Sequence, residues 1–339
     1  MKLGIVGSGN IVKEALAALT YVPEITIQAI VVREKSRAVA EELQKQYSIN
    51  KIYCDYDRFL EDADIEMIYI GIPNSLHHHY SKRALLAGKH VICEKPFTSN
   101  YHELKELADL AREKKLYLFE AITLIHSKNL AYVKEKLAEI GEIKLIQCNY
   151  SQFSSRYPKY QQGEVLAAFD PAYSGGSLFD INVYNIHFVC RLFGKPESLH
   201  YHANIGFNGI DTSGVLVMNY PHFTAICSAA KDSQSPCHAT VQGTKGYVKI
   251  AGPTNEAKEV EFKLIEEASI STNKGEYSNR MVDEFKVFAA LYHSNNYAAC
   301  LALLDHSLVV IDVLTEARLQ AGIHFPNDLL SELTPDKAS

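Results

Sequence analysis

At 339 residues with 47% apolar side chains, the chain is long for a single core and suits two domains. A formal net charge of −6 with no Lys/Arg cluster excludes a general nucleic-acid binder, because phosphate neutralisation needs a basic face. The seven cysteines are scattered, odd in number and without a C-x-x-C pair, which indicates neither a disulfide framework nor a zinc site and suits a reducing cytoplasm. Met1 runs directly into the strand-like Lys2-Leu3-Gly4-Ile5-Val6, which leaves no room for a signal peptide. No apolar run reads as long enough to span a bilayer, so neither a membrane nor a nucleic acid is an expected partner.

Residues 1–121 alternate strand and helix. Leu3 to Val6 is a short apolar strand, and Gly7-Ser8-Gly9-Asn10 turns it into a helix whose Ile11, Val12, Ala15, Leu16 and Leu19 recur at helical spacing. Ile25 to Val32 is the second strand, and Ser36 is the candidate N-cap of the next helix. Met67-Ile68-Tyr69-Ile70 reads as the third strand, ending at Gly71-Ile72-Pro73-Asn74. After a helix that stops at Gly88, Val91-Ile92-Cys93 is a buried strand broken by Glu94-Lys95-Pro96, since proline cannot continue a ladder. Asn100 with Glu103 three residues on is a capping-box-like helix start, and Leu116 to Phe119 is one more strand. This βαβ repetition predicts a doubly wound parallel sheet of the Rossmann kind.

From residue 122 the pattern changes. A helix over 127–139 and a strand from Glu142 to Tyr150 lead into a loop of roughly two dozen residues, a length that more often marks function than connection. A helix follows from Ser177 to Phe193. Gly214 to Tyr220 and His222 to Ala229 are short strands, Thr244-Lys245-Gly246 is a hairpin turn, and two helices over 278–292 and 305–320 close the chain. The expected organisation is a dinucleotide-binding domain over 1–121 and, over 122–339, an α+β domain with a large, mostly antiparallel open sheet. The second face of that sheet, with Val215, Val217 and Ala225, predicts a homodimer or higher homo-oligomer.

Lys95 falls at the carboxyl edge of the first sheet, where ligands bind in open α/β folds, and a lysine beside low-dielectric protein is readily adapted to proton transfer. Gly7-x-Gly9 between strand and helix is the start of a dinucleotide fingerprint, with Ser8, Asn10 and Ile11 in the same turn. Alone it equally fits an ordinary tight turn, and Val12 stands at the third glycine position; its place in the first βαβ unit favours the nucleotide. At the end of the second strand stands Arg33 instead of an acid, which favours a 2′-phosphate and hence NADP over NAD, with Glu34 as a competitor and a solvated arginine as the alternative. At about 100° per residue, Asp180, Tyr184 and His187 share a helical face. His187 is read as a core histidine. Three consecutive histidines, His77-His78-His79, point in three directions and are rejected as a metal site.

Several elements together resemble the glucose-fructose oxidoreductase, inositol dehydrogenase and rhizopine-catabolism (Gfo/Idh/MocA) family over nearly the whole chain. They are Gly7-x-Gly9, Pro73-Asn74 with His77, Ala87-Gly88-Lys89-His90-Val91 running into Glu94-Lys95-Pro96, Glu120-Ala121, Gly175 to Tyr184, and Ala321-Gly322-Ile323-x-Phe325-Pro326. The resemblance implies hydride transfer between a nicotinamide and a sugar, polyol or related diol or carbonyl compound, with Pro73, Asn74, His77, Glu94 and Lys95 near the cofactor and Lys95 and Asp180 in the active site. Tyr184 stands where inositol dehydrogenases carry histidine, as in the branch of dimeric dihydrodiol dehydrogenase. Asn182 replaces a family glycine, and Ile125-His126-Ser127 replaces the family Arg-Phe-His-Pro. Hydride transfer at a carbinol needs a partner for the hydroxyl proton. Free tyrosine, with a pKa of ~10, is a poor base, and a neighbouring cation favours its phenolate. Tyr184 is therefore assigned as general acid/base, Lys95 as its electrostatic partner and Asp180 as an orienting group, with Lys95 as the proton carrier the alternative. Arg156 and Tyr157 are substrate candidates, or ordinary lid residues. Other readings of the fold are a non-catalytic NADP-sensing regulator and a redox-neutral NAD-dependent glycosidase.

Overall fold

The structure, a computed structural model, describes residues 1–328; the end of the expected second domain, 329–339, lies outside the described residues. The described chain divides into two units, one of residues 1–121 with 279–308, the other of 122–278 with the chain from 309 onward.

The first unit holds six strands: β1 (Lys2–Val6), β2 (Thr26–Val31), β3 (Lys51–Tyr53), β4 (Met67–Ile70), β5 (His90–Glu94) and β6 (Leu118–Ala121). They form one parallel sheet in the order β3-β2-β1-β4-β5-β6. β4 is buried at every residue, as expected of a strand covered on both faces. Strand β3 and the helix α3 (Tyr56–Glu61) are additions to the expected pattern, so Met67–Ile70 is the fourth strand. With three residues, none of them fully buried, β3 carries too little apolar signal to be read.

The helices of this unit are α1 (Asn10–Leu19), α2 (Arg37–Tyr47), α3, α4 (His77–Leu86) and α5 (Tyr101–Lys114). Ser36 occupies the N-cap position of α2 but makes no side-chain cap bond. Asn100 does cap α5: its side chain accepts from Glu103 N at 2.9 Å, while Glu103 Oε2 accepts from Ser99 N at 2.9 Å.

The second unit begins with α6 (Lys128–Lys136) and β7 (Ile143–Ser151), then α7 (Tyr157–Gln161) inside the long segment, and α8 (Val183–Phe193). The strands β8 (Ser198–Ile205), β9 (Asp211–Asn219), β10 (Thr224–Ala230), β11 (His238–Gly243), β12 (Gly246–Ala251), β13 (Glu259–Leu264) and β14 (Ile270–Thr272) follow. Their sheet has the order β14-β13-β12-β11-β7-β10-β9-β8, antiparallel except for the β7–β10 pair. β11 and β12 meet as the expected hairpin, with Gly243 opposite Gly246. Burial alternates along β10: Ala225, Cys227 and Ala229 face the core, while Ile226 is on the outer face. Ala225 therefore does not belong to the outward set, and Ile226, paired with Val217, takes its place.

The closing helices are α9 (Met281–His293) and α10 (Tyr297–Gln320). Both were expected in the second domain, yet residues 279–308 belong to the first unit. Long-range pairing explains this: Arg280 donates through Nε and Nη2 to the Glu14 carboxylate of α1 at 3.0 and 3.1 Å, and Phe288 stacks on Phe119 of β6 at 4.6 Å. The reading that no apolar run suffices to span a bilayer also needs correction, because α10 is long and apolar enough by length and composition alone. Half of that stretch is buried inside the protein, Leu304, Ile311 and Leu314 among it.

Candidate active site

In the first unit, strand order reverses between β1 and β4, and the predicted cofactor residues leave the carboxyl ends of four strands at that edge. Gly7 to Ile11 follow β1, Arg33 follows β2, Pro73 to His77 follow β4, and Glu94-Lys95 close β5.

Gly7 has φ +107°, and a Cβ there would lie 2.5 Å from the Gly71 carbonyl oxygen, so only glycine fits the turn. Gly9 is the N-cap of α1, has no side chain to offer its amides, and faces open space where a Cβ would point. That is a cradle for a pyrophosphate: backbone can approach, and the helix N-terminus meets the charge. The missing third glycine is also explained. Val12 is fully buried, and a Cβ on Gly71 would lie 2.7 Å from its Cγ2, so the close helix-to-strand approach is supplied by Gly71 across the β4 turn.

Arg33 is exposed just beyond β2. Its competitor Glu34 is engaged with Arg37 at 3.7 Å, and Arg37 also pairs with Glu41 at 3.3 Å. The three histidines part as expected: His78 meets Glu106 at 2.7 Å, His79 is exposed, and His77 turns inward. Both His77 ring nitrogens sit 2.9 Å from carbonyl oxygens, those of Pro96 and Ile72, and burial lowers its pKa. His77 thus lies between the turn after β4 and the turn after β5, one ring N–H donating to a carbonyl. Among the described residues no group of three His, Cys, Asp or Glu side chains is placed to hold a metal.

Glu94 is buried and accepts from the Tyr69 hydroxyl at 2.6 Å. Burial raises its pKa, opposed by Tyr69 and by the cations Lys95 and Arg280. Glu284 of α9 is fully buried, and burial followed by the charge of Glu94 raises its pKa well above the usual carboxylate range. Phe97 N donates to Glu120 Oε1 at 3.2 Å, so Glu120 of β6 holds the backbone just after Lys95-Pro96. Tyr69 and Glu120 are thus supports of the Lys95 turn that lie on other strands.

In the second unit, Asp180 and Tyr184 lie on one helical run, but its first turn, Leu178–Asn182, is a π-helix before α8 begins. The uniform 100° rotation therefore does not hold across Asp180, and π turns of this kind occur frequently at functional sites. Asn182 explains itself here. It is fully buried, donates to the Cys227 carbonyl at 3.0 Å and accepts from Asn185 at 2.9 Å, pinning the π turn to β10 where a glycine would leave a gap. Gly176, with φ +98°, lies where a Cβ would be 2.1 Å from Asp211 Oδ1, and Asp211 accepts from Leu178 N at 2.6 Å and Tyr201 at 2.7 Å.

Tyr184 is 5% exposed, with the Tyr150 ring 6.1 Å away. Asp180 accepts from Lys231 Nζ at 2.6 Å, a lysine that belongs to none of the motifs above. A lone lysine directly after the small, buried Ala229-Ala230 was the available signal. His187 is fully buried, as read. His126 is half-buried beside it, and desolvation of its ring, then Arg191 and His187, lower its pKa to about 3, so it is neutral. Arg156 is exposed at the start of α7, and Tyr157 stacks on Tyr160 at 6.0 Å and lies 5.8 Å from Phe169. Tyr157 is thereby part of an aromatic cluster within the segment rather than a lone lid residue.

A nucleotide edge of this build in one unit and a large, mostly antiparallel sheet in the other are the parts of a nicotinamide-dependent oxidoreductase as a class. The chain belongs to the Gfo/Idh/MocA family: the model for the oxidoreductase family with an NAD-binding Rossmann fold matches residues 1–121, and the GFO/IDH/MocA C-terminal domain matches 131–249. It is 29% identical to scyllo-inositol 2-dehydrogenase (NADP(+)) IolU of Bacillus subtilis, over 97% of this chain and 99% of that protein. It is 27% identical to trans-1,2-dihydrobenzene-1,2-diol dehydrogenase of Sus scrofa, over 97% and 99%. Among solved structures, the 3-ketoreductase KijD10 of Actinomadura kijaniata with NADP and TDP-benzene shares the fold at a TM-score of 0.80 and 21% identity, over 94% of this chain and 97% of that one.

Proposed function

We propose that this oxidoreductase prefers NADP(H) and acts at a CH–OH carbon of a polyol, sugar or related diol, or on the corresponding carbonyl. The observation that carries the reading is the pyrophosphate cradle of Gly7 and Gly9 on the same sheet edge as Lys95. When bound, the nicotinamide accepts or supplies the hydride. The chain's own residues deal with the proton: Tyr184 takes it from, or returns it to, the substrate oxygen, Lys95 favours the phenolate and holds that oxygen, and Asp180 orients a substrate hydroxyl. The named substrates of the relatives, an inositol and a dihydrodiol, support the substrate class. Arg33, with Glu34 occupied by Arg37, supports the 2′-phosphate.

The test is a screen of inositols, sugars, trans-diols and their carbonyl counterparts for change in nicotinamide absorbance, with both cofactors titrated by fluorescence. NADPH is expected to bind roughly tenfold more tightly than NADH, one charge-assisted contact being worth about 1.5 kcal/mol or more. Arg33→Ala should close most of that gap. Equal affinity for the two cofactors in the parent protein would overturn the NADP preference. A tightly retained cofactor with no net absorbance change would favour the redox-neutral glycosidase instead.

A homodimer through the outer face of the second sheet is part of the proposal. Val215 and the cross-strand pair Val217 and Ile226 stand on that face, and Val215 is 37% exposed. Light scattering at micromolar concentration should give twice the chain mass, and Val217→Asp with Ile226→Asp should reduce it to one chain; a monomeric parent protein would refute this. With seven cysteines all free, we assign the enzyme to the reducing cytoplasm.

A further inference from the structure

The end of β10 carries a side chain that the proposed mechanism does not use. Lys231 follows Ala229 and Ala230 and is only 3% exposed. Its Nζ donates to Asp180 Oδ2 at 2.6 Å and to the Ala168 carbonyl at 2.7 Å, and it lies 4.6 Å from the centre of the Phe169 ring. Its backbone is equally fixed: Lys231 N donates to Thr212 O, and Lys231 O accepts from Ser154 N, both at 2.9 Å. Burying an ammonium is costly unless it is paired and hydrogen-bonded. Here the compensation comes from two places at once, the π turn that carries Asp180 and the long segment that carries Ala168 and Phe169.

We propose that Lys231 is a positioning residue that fixes the Asp180 carboxylate in one orientation and clamps the 152–175 segment to the helix that bears Tyr184. This rests on the reading of Asp180 as a site residue. The geometry favours a positioning role over a simple internal ion pair, because one ammonium at the end of β10 holds both Ala168 and Asp180, which lie 63 and 51 positions earlier in the chain. The segment it holds is the one with the aromatic stack: Tyr160 lies 4.9 Å from Phe169 and 4.4 Å from the exposed Phe207. A shift of Lys231 would therefore move both the carboxylate and the aromatic wall. The charged and titratable groups of this unit that face it are Asp180 from the π turn and Asp211 from β9, the latter bonded to Tyr201 of β8.

The experiment uses the full chain with NADPH bound and compares the parent with Lys231→Met, Lys231→Gln, Lys231→Arg and Asp180→Asn. Hydrogen exchange at the amides of Phe169, Asp170, Gly175 and Gly176, which are bonded within the segment, should quicken about tenfold in Lys231→Met, the loss of one charged contact. With the substrate found by screening, kcat/KM should fall by about 10²-fold, the cost of a misplaced site group. Its acidic limb should move to higher pH, because the Asp180 carboxylate loses the ammonium bonded to it at 2.6 Å. Lys231→Arg, which keeps the charge, should recover part of both effects, and NADPH affinity should stay at the parental value. Lys231→Gln carries the same expectations if the methionine variant does not fold. Parental exchange together with an unmoved acidic limb overturns the proposal, as does a lowered melting point with kcat/KM unchanged. Parental turnover in Asp180→Asn would refute the role given to Asp180, and with it the positioning half of the inference; faster segment exchange in Lys231→Met would still support the clamp.

Discussion

Tyr184→Phe is expected to lower turnover by about 10²–10⁴, the usual consequence of losing a general acid/base, with cofactor affinity and melting point close to the parent's. The fold should tolerate the change for identifiable reasons. The helix is pinned to the sheet by Asn182 on Cys227 O and Asn185 on Ser228 O at 3.0 and 3.1 Å, bonds in which the phenol takes no part. The ring keeps its place near Tyr150, since phenylalanine preserves every carbon. The proposed nucleotide cradle of Gly7, Gly9 and Gly71 belongs to the other unit. Steady-state kinetics on the screened substrate and nicotinamide fluorescence together measure the effect. Near-parental turnover would remove Tyr184 from the proton path and leave Lys95 as the carrier.

What could be read from the sequence was local. The strand-turn-helix around Gly7, the break at Glu94-Lys95-Pro96, the cap at Asn100 and the hairpin at Thr244 to Gly246 each consist of neighbouring residues whose conformational preferences agree with the fold. The alternation of short strands likewise identified an antiparallel sheet, although the face of Ala225 was assigned wrongly: a shift of one residue exchanges the two faces of a strand.

What was not legible depends on residues far apart. Arg280 and Glu14 are separated by 266 positions, so nothing in the local pattern of α9 marks it as part of the first unit. The same holds for the Glu284 carboxyl beside Glu94 and for Lys231 on Asp180. A buried charge looks like a surface charge until its partner is known. The π turn at Leu178–Asn182 escaped for a different reason: an extra residue in one turn barely alters an apolar pattern that is already buried at Leu178, Phe179 and Val183. Asn182, a departure from the family glycine, is where sequence comparison signalled an irregularity, and its side chain supplies the bond that anchors the turn.

On the proposed mechanism, Lys95→Met should damage turnover at least as much as Tyr184→Phe, by about 10²–10⁴, and should also raise KM, because it removes the charge proposed to favour the phenolate and hold the substrate oxygen. A further effect reaches Glu94. Lys95 and Arg280 oppose the rise that burial imposes on that carboxyl, so removing the ammonium pushes the Glu94 pKa further up. The Tyr69 hydroxyl and the Phe97–Glu120 bond remain in place, so the turn itself should persist and NADPH should still bind. In Lys95→Met with Tyr184→Phe the losses should not add if, as proposed, the two side chains serve one proton transfer. Lys95→Arg separates the two assignments of the proton carrier. Arginine keeps the charge but does not release a proton near neutral pH, so partial recovery fits an electrostatic lysine, whereas activity as low as Lys95→Met makes the lysine the acid/base. If Lys95→Met and Tyr184→Phe both turn over at the parental rate, the chemistry does not take place at the carboxyl end of β5.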